Sequence, residues 1–208
     1  MRTRTNRWLG WMLALAMLAA CGDDGSSAAT GADGAGAGGA QGGAGGGDSG
    51  VDLESLYGCD EAGYQTVRPL AEPSFDAEQS GFLVEPTQST YLVHTTQIYV
   101  PSDKDGEFLK LFGDIAAQLD GLDGVVAWSA GSDDACGVYR TLGIWESEEA
   151  MYAFVGSGAH AVAMSRTTEV SLSGRVTHWE ATVEELEQLD YDVARAKLES
   201  VEPSPLYD

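Results

Sequence analysis

Three histidines are the residues of this chain best suited to proton transfer near neutral pH. An unperturbed imidazole has a pKa of about 6.5, so it can act as a general acid or base under physiological conditions. His160 lies in a Gly- and Ala-rich break of a predicted helix, where small neighbours let a ligand approach closely. A catalytic base and a histidine that stabilises the helix break are equally good interpretations of this position.

His94 lies in a predicted strand, in the same alternating register as Leu92 and Ile98. That register directs the imidazole into the space beneath the predicted helices, where it is either a catalytic base or a hydrogen-bonded core residue. His178 lies on another predicted strand, and Glu180 is its neighbour on the same face. We expect a structural pairing of His178 with Glu180.

The sequence has no motif for metal binding, for a serine hydrolase or for nucleotide binding. The histidines lack the spacing of metal ligands, since neither His-x-x-x-His nor Glu-x-x-His occurs, and no metal site is predicted. The chain also lacks a Gly-x-Ser-x-Gly nucleophile motif, a phosphate loop and a dinucleotide fingerprint. A hydrolase or a nucleotide enzyme is therefore not predicted.

The segment from Gly143 to Arg166 must position His160. A strand ending at Trp145 runs into a helix that Ser147 can cap, and the two glutamates that follow meet the positive end of the helix dipole. Phe154 and its apolar neighbours then fall on one side of this helix, so that side is expected to be buried.

The remaining elements follow from apolar periodicity, turn residues and capping signals. We predict the following elements: a strand over Tyr91–Val100, a helix capped within Ser102–Asp105 and ending near Leu119, a strand over Val125–Ala130, a hairpin loop over Gly131–Asp134, a strand over Gly137–Trp145, the Ser147 helix continuing irregularly to about Thr168, a strand over Arg175–Ala181, and a last helix capped by Thr182 and Glu185 whose apolar side is Val183, Leu186, Leu189 and Val193.

This β-α-β-β-α-β order predicts an α+β fold of the ferredoxin-like type, with a C-terminal helix added. Connection rules give a four-stranded antiparallel sheet with both helices packed on one face. The other face still has Trp, Tyr and Val side chains to bury, and pairing with the same face of a second copy is the simplest solution. We therefore expect a homodimer.

Residues 91–181 resemble the dimeric α/β-barrel superfamily that includes the antibiotic biosynthesis monooxygenases. The resemblance rests on the order of elements and on the sequence Ile144–Ala150, followed by Phe154 and the segment Ser157–Ala161. Members of this superfamily include cofactor-independent monooxygenases of small aromatic substrates, haem-degrading enzymes, and domains without a known reaction. The resemblance implies that this chain is one of these three kinds of protein.

The site expected on this basis has two candidate catalytic residues and a set of pocket walls. The candidate bases are His94 and His160, and the residues expected at the pocket wall are Thr96, Trp128, Trp145, Phe154 and Met164. Strand tryptophans and helix methionines are also common packing residues, so a filled core is the alternative for these positions.

The haem-degrading branch can be compared residue by residue. It resembles this chain at Trp145, but Met164 lies nearest to the place of its proximal histidine, and its strand asparagine falls near Thr95 or Thr96. Because two of these three residues differ, no cofactor is predicted, and haem bound through methionine is the alternative.

The N-terminus predicts a compartment. Residues 1–20 have three arginines ahead of an apolar run too short to span a bilayer comfortably, and they end in Leu-Ala-Ala before Cys21. This pattern resembles the lipobox of bacterial lipoproteins, which implies a signal peptide and acyl chains such as palmitate on Cys21. We expect a lipid-anchored protein of the bacterial envelope, in the outer membrane rather than the inner one because Gly22 follows the cysteine.

Residues 21–50 are almost entirely Gly, Ala, Ser and Asp, so they cannot bury enough apolar surface to fold and are predicted to be a flexible tether. Residues 51–90 are predicted to be an extension wrapped over the core, with a short strand near Gly81–Glu85. The monooxygenase-like domain follows over 91–181, and 182–208 form the C-terminal helix and tail.

The other two cysteines, Cys59 and Cys136, are an even pair in an oxidising compartment, so a disulfide between them is predicted. Two unpaired thiols are the alternative. Loss of residues 1–20 removes three arginines and leaves 8 basic residues against 33 acidic ones, a formal net charge of −25. No basic face is available for phosphates, and nucleic acid is not expected as a partner.

Two functions are consistent with these features. The first is a membrane-tethered oxygenase-like domain that holds a small apolar or aromatic molecule between sheet and helices. The second is a domain without catalysis that binds a ligand or dimerises. An enclosed pocket with His94 or His160 at its wall favours the first, and a space filled by side chains favours the second.

Overall fold

The computed structural model describes residues 51–205, so the predicted signal peptide, Cys21 and the tether lie outside the described residues. The elements are α1 (Leu53–Tyr57), β1 (Gln65–Glu72), β2 (Phe75–Asp76), β3 (Gly81–Phe82), β4 (Thr90–Tyr99), α2 (Asp105–Leu119), β5 (Val125–Asp133), β6 (Val138–Trp145), α3 (Glu148–Val155), α4 (Gly158–Met164), α5 (Thr167–Val170), β7 (Ser173–Thr182), α6 (Val183–Leu186), α7 (Tyr191–Glu199) and β8 (Ser204–Pro205).

The predicted ferredoxin-like core is confirmed. The strands of the described residues form one antiparallel sheet in the order β3-β2-β1-β5-β6-β4-β7-β8, and the four consecutive strands β5, β6, β4 and β7 are those predicted from the sequence. The helix α2 buries its predicted apolar side against this sheet. That side consists of Phe108, Leu111, Phe112, Ile115 and Leu119.

The turn between β5 and β6 differs from the prediction, because β5 continues to Asp133 instead of ending before Gly131. Asp133 is buried, and its carboxylate accepts hydrogen bonds from the amides of Gly63, Ala135 and Cys136 at 2.9–3.3 Å. These bonds close the turn after the strand, so the hairpin loop falls over residues 134–137.

Of the N-terminal caps predicted for α3 and α2, the first is confirmed and the second is wrong. The Ser147 hydroxyl accepts from the amide of Ala150 at 3.1 Å, as expected for the cap of α3. In contrast, α2 begins after Lys104 without any side-chain cap, so the predicted cap within Ser102–Asp105 is wrong. A backbone turn replaces it, since the amide of Lys104 donates to the carbonyl of Pro101 at 2.8 Å.

The N-terminal extension is part of the sheet, which the sequence did not predict. Strand β1 pairs with the outer edge of β5, and Arg68 pairs with Ala130 in that register. The predicted disulfide between Cys59 and Cys136 is confirmed, with 5.9 Å between the two Cα atoms. It links the start of the extension to the β5–β6 turn.

The C-terminal segment has two helices where one was predicted. Thr182 and Glu185 form the expected capping box. The helix α6 nevertheless stops at Leu186, and the carboxylate of Asp190 accepts from the amide of Val193 to start α7. The side chain of Val193 is 39% exposed, so its predicted place on the apolar side is wrong.

The sheet face opposite α2 is covered by the chain itself. Apolar residues of the N-terminal extension and of α6 and α7 pack on this face and form a second core. That core includes Leu70, Phe75, Val93, Leu142, Ile144, Leu186, Leu189 and Ala194. The expected homodimer was based on an uncovered sheet face, and that premise is wrong. The homodimer stays a prediction, and it requires another surface.

Within residues 51–205, no helix has the length and apolar character needed to cross a membrane.

Candidate functional site

The two candidate catalytic histidines lie at the ends of one row of aromatic rings beneath the helices. His94 neighbours Trp145 with ring centroids 5.7 Å apart, Trp145 neighbours Phe154 at 5.2 Å, and Phe154 neighbours His160 at 4.6 Å. All four side chains are at least 93% buried. Two features create this row: the register of β4 and β6, and the Ser147 cap that starts α3. Each of the four residues lies on the strand or helical segment that the sequence predicted for it.

His94 is held as a neutral imidazole. The indole Nε1 of Trp145 donates to its Nδ1 at 2.6 Å, which places the ring proton on Nε2. Burial, followed by the charges of His160 and His178, lowers the pKa of His94 to about 3. A group with this pKa is a weak base near neutral pH.

Gly143 makes room for the His94 ring. A Cβ atom at this position would lie 2.4 Å from Cε1 and 2.7 Å from Nδ1 of His94, closer than real Cβ contacts. The glycine is therefore required for the His94 ring to lie this close to β6 and reach Trp145.

His160 is anchored by the helix break in which it lies. Its Nδ1 is 3.0 Å from the carbonyl of Val155, and its backbone amide donates to the side chain of Gln118 at 3.1 Å. Burial lowers the pKa of His160, although the bond to Val155 opposes this shift. These contacts are those of a histidine that stabilises the junction between α3 and α4.

His178 has a different partner from the one predicted. It lies opposite His94 in the register of β4 and β7, and its Nε2 is 3.5 Å from the carboxylate of Glu148. The predicted pairing with Glu180 is therefore wrong, because the first turn of α3 places Glu148 over the strand. Among the described residues, no group of three His, Cys, Asp or Glu side chains could hold a metal ion.

The other predicted wall residues have packing contacts. The hydroxyl of Thr96 is 2.7 Å from that of Thr141, the ring of Trp128 lies 3.6 Å beneath the guanidinium of Arg68, and Met164 packs against the core under the helices. Because Phe154 packs at one side of the Trp145 indole and His94 at another, a macrocycle would have to displace side chains to lie against that indole. The residues present do not fit a haem.

A cavity of about 370 Å³ lies at the opposite end of α2. Its walls are the first half of α2, the end of the β5–β6 hairpin and the N-terminal extension. The apolar part of the lining comprises Val67, Leu109 and Phe112. Neither His94 nor His160 lines this cavity or the two smaller or more open ones described on the surface.

Carboxylates surround this cavity. Asp105, Asp133 and Asp134 line it, and within residues 51–205 none of the three has a basic group at ion-pair distance. Tyr139 donates its hydroxyl to Asp105. Burial, and then that bond, raises the pKa of Tyr139, so the phenol stays neutral.

Sequence reasoning missed this cavity because it missed β1. Gly63, Gln65 and Val67 supply one wall, and the residues around them show no strand periodicity strong enough to separate a strand from an irregular extension. The only usable signal is the disulfide, since Cys136 in the β5–β6 turn requires the extension to approach this end of the sheet.

The family comparison agrees with this arrangement. Residues 92–166 match the family described as antibiotic biosynthesis monooxygenase. The chain therefore carries an antibiotic biosynthesis monooxygenase-like domain over these residues, within a ferredoxin-like α+β fold. The extension, β7 and the C-terminal helices lie outside the match.

Solved structures show weaker similarities. A candidate monooxygenase from Fusobacterium nucleatum is 14% identical over 57% of this chain, which spans 50% of that protein, with a TM-score of 0.43. A candidate antibiotic biosynthesis monooxygenase from Caulobacter crescentus is 21% identical over 45% of this chain and 92% of its own, with a TM-score of 0.41. These levels of similarity do not bear on function. No curated protein matches the sequence.

Proposed function

We propose that this protein is an envelope lipoprotein whose monooxygenase-like domain binds a small apolar or aromatic molecule that carries a positive charge. The observation that carries the proposal is the cavity of about 370 Å³ beside α2. Its lining has apolar side chains and carboxylates that have no ion-pair partner among the described residues. Ligand sites in proteins have volumes of roughly 300–1,000 Å³ and combine apolar walls with a few polar groups.

The lining selects the charge of the ligand. An apolar body contacts Val67, Leu109 and Phe112, while an ammonium group lies near the carboxylates of Asp105 and Asp134. The formal net charge, −22 for the whole sequence and −25 without residues 1–20, adds a general attraction for cations and repels anionic ligands. A neutral aromatic molecule fits the apolar walls but gains nothing from the carboxylates.

The membrane attachment rests on the sequence of residues 1–50. Acyl chains on Cys21 hold the chain on a membrane, and the 29 residues from Gly22 to Gly50 give an average reach of roughly 30 Å. The domain would then bind its ligand in the aqueous space next to the lipid. Loss of metabolic labelling by a palmitate analogue in Cys21→Ala tests this part of the proposal.

Titration calorimetry with three matched probes tests the binding. The three probes share a naphthylmethyl group and differ mainly in charge: 1-naphthylmethylamine is a cation, 1-naphthalenemethanol is neutral, and 1-naphthaleneacetate is an anion. We expect the purified full chain to bind the cation most tightly and the anion most weakly. Leu109→Trp fills the cavity and should abolish binding of the amine. Asp134→Asn should reduce the preference for the amine over the alcohol.

Asp114→Asn is the matched control. This carboxylate lies on the exposed side of α2 and pairs with Lys110, away from the cavity. Loss of the Asp114 carboxylate should leave the affinities for all three probes unchanged. Failure of every probe to bind, or equal binding by Leu109→Trp, would refute the proposed cavity.

Oxygenase chemistry at the histidine row is the second candidate, and the family match of residues 92–166 favours it. In such a reaction an aromatic CH₂ group becomes a carbonyl, one atom of O₂ enters the product, and the other leaves as water with the two substrate hydrogens. The substrate would supply all four electrons, and His94 or His160 would accept the first proton. The packing around both histidines requires Phe154 to move before a substrate reaches either ring.

An oxygen electrode distinguishes the two candidates. Oxygen consumption with an anthrone-type substrate, lost in His94→Asn and in His160→Asn, would establish oxygenase activity. Binding of the naphthyl amine without any oxygen consumption supports the binding function alone.

A further inference from the structure

A pocket on the sheet face opposite α2 collects a large share of the chain's positive charge. The register of β4 places Gln97 opposite Arg140 on β6 and opposite Arg175 on β7. Directly opposed side chains in antiparallel strands point to the same face with Cβ atoms about 5 Å apart. Two guanidinium groups therefore flank one amide, and Arg195 of α7 adds a third.

Two of these three charges are compensated. Arg140 is 96% buried, and Glu61 contacts its guanidinium through both carboxylate oxygens. Burial opposes the charge of Arg140, but the bonds and the charge of Glu61 outweigh it and raise the pKa of the guanidinium. Arg195 donates to Asp192 at 3.1 Å on the outer side of α7.

Arg175 is the uncompensated charge. In the part of the chain that the structure describes, no carboxylate lies within ion-pair distance of it. Its guanidinium lies 4.1 Å from the ring of Tyr57, with which it also has a side-chain hydrogen bond, and it donates a long bond, 3.4 Å, to the carbonyl of Leu198. An unpaired guanidinium is unexpected in a chain with 33 acidic and 11 basic residues.

The pocket between these groups has a volume of about 220 Å³, roughly seven times the volume that one molecule occupies in liquid water. Gln97, Arg140, Arg175 and Arg195 line it together with Tyr57. The Nε atoms of Arg140 and Arg175 are buried and have no hydrogen-bond partner among the described residues. Buried donors in native proteins normally have a partner, so the hydrogen-bonding capacity of these two guanidinium groups is not fully used.

We propose that this pocket binds a small oxyanion, a carboxylate or phosphate group, with Arg175 as its principal partner. A guanidinium presents paired donors that match the two oxygens of such a group. Asp60, Glu61 and Glu199 also line the pocket and limit the negative charge it accepts, so the ligand is small and carries one or two charges. The site is separate from the proposed cavity, which lies on the other face of the sheet.

NMR of the arginine Nε–H groups of the purified full chain tests the proposal. Acetate or inorganic phosphate replaces chloride at constant ionic strength, so screening stays the same. We expect a saturable shift of the Arg175 signal with at least one anion. The Arg166 signal should not follow it, because Glu107 and Glu169 already pair with that guanidinium.

Two variants complete the test. Arg175→Gln should abolish saturation at the other pocket arginines, and Glu199→Gln should strengthen anion binding several-fold because it removes a competing carboxylate. Saturation by acetate alone or by phosphate alone identifies the group that binds. Absence of saturation with both anions in the wild type and in Glu199→Gln, or saturation that persists in Arg175→Gln, would overturn the proposal.

Discussion

Acidification should destabilise this protein through His94. The folded state holds the pKa of this histidine at about 3, whereas the unfolded chain has a value of about 6.5. Between these two values the unfolded state binds a proton that the folded state does not, so stability rises with pH and is lost as the pH falls. The full shift corresponds to about 5 kcal/mol, of which about 2 kcal/mol is lost by pH 5.

Urea unfolding followed by tryptophan fluorescence at pH 7, 6 and 5 measures this loss. His94→Asn removes the titrating group and keeps an acceptor for the Trp145 indole, so its loss between pH 7 and pH 5 should be about 2 kcal/mol smaller than that of the wild type. Comparison with the wild type cancels the contribution of the carboxylates. The lowered pKa of His160 adds to the loss of stability on acidification in both the wild type and His94→Asn.

His178→Asn is the control for removal of a histidine from the same region. This residue lies opposite His94 on β7 and is one-third exposed. Burial, the largest cause of the lowered pKa of His94, remains in this variant, so it should keep most of the wild-type loss. Identical pH dependence in His94→Asn and wild type would show that His94 accepts a proton in the folded state, and the assignment of a neutral, buried imidazole would then be wrong.

Three further predictions concern the elements that hold the site. Replacement of Cys59 and Cys136 by serine removes a link across 77 residues and should lower the free energy of unfolding by about 4.5 kcal/mol, measured in urea with the reduced wild type as the control. Gly143→Ala introduces a Cβ atom 2.4 Å from the His94 ring; it should cost about 1–3 kcal/mol and shift the NMR signal of the indole N–H bonded to that ring, and an unchanged signal would contradict the packing described. Ser147→Ala should cost about 1 kcal/mol by loss of a helix cap, while Ser147→Asp should restore the stability; equal stability of all three proteins would rule out the cap.

The central fold could be predicted because its signals are local. Alternation along β4, the apolar stripe of α2 and the capping residues Ser147 and Thr182 each specify an element within about ten neighbouring residues, and short connections then leave few arrangements. The failures occurred where distant segments decide the outcome. Strand β1 has weak alternation and exists because the edge of β5 accepts it.

The candidate sites show the same division. The sequence placed His94 beneath the helices and His160 in a helix break, but it could not show that Trp145 and Phe154 would fill the space between them. It gave no sign of the cavity beside α2, because one wall comes from residues 63–67 and the others from residues 105–139. Contacts across such separations depend on packing, which periodicity does not encode.

The sequence by itself determined the order of strands and helices over residues 91–181, the pairing of the two cysteines, and an excess of acid from which no nucleic-acid partner is expected. Only the tertiary structure decided which sheet face is covered by the N-terminal extension and the C-terminal helices, where a cavity remains, and which guanidinium lacks a carboxylate partner among residues 51–205. Local patterns are set by neighbouring side chains, whereas cavities and unpaired charges are what remains after distant segments have packed together.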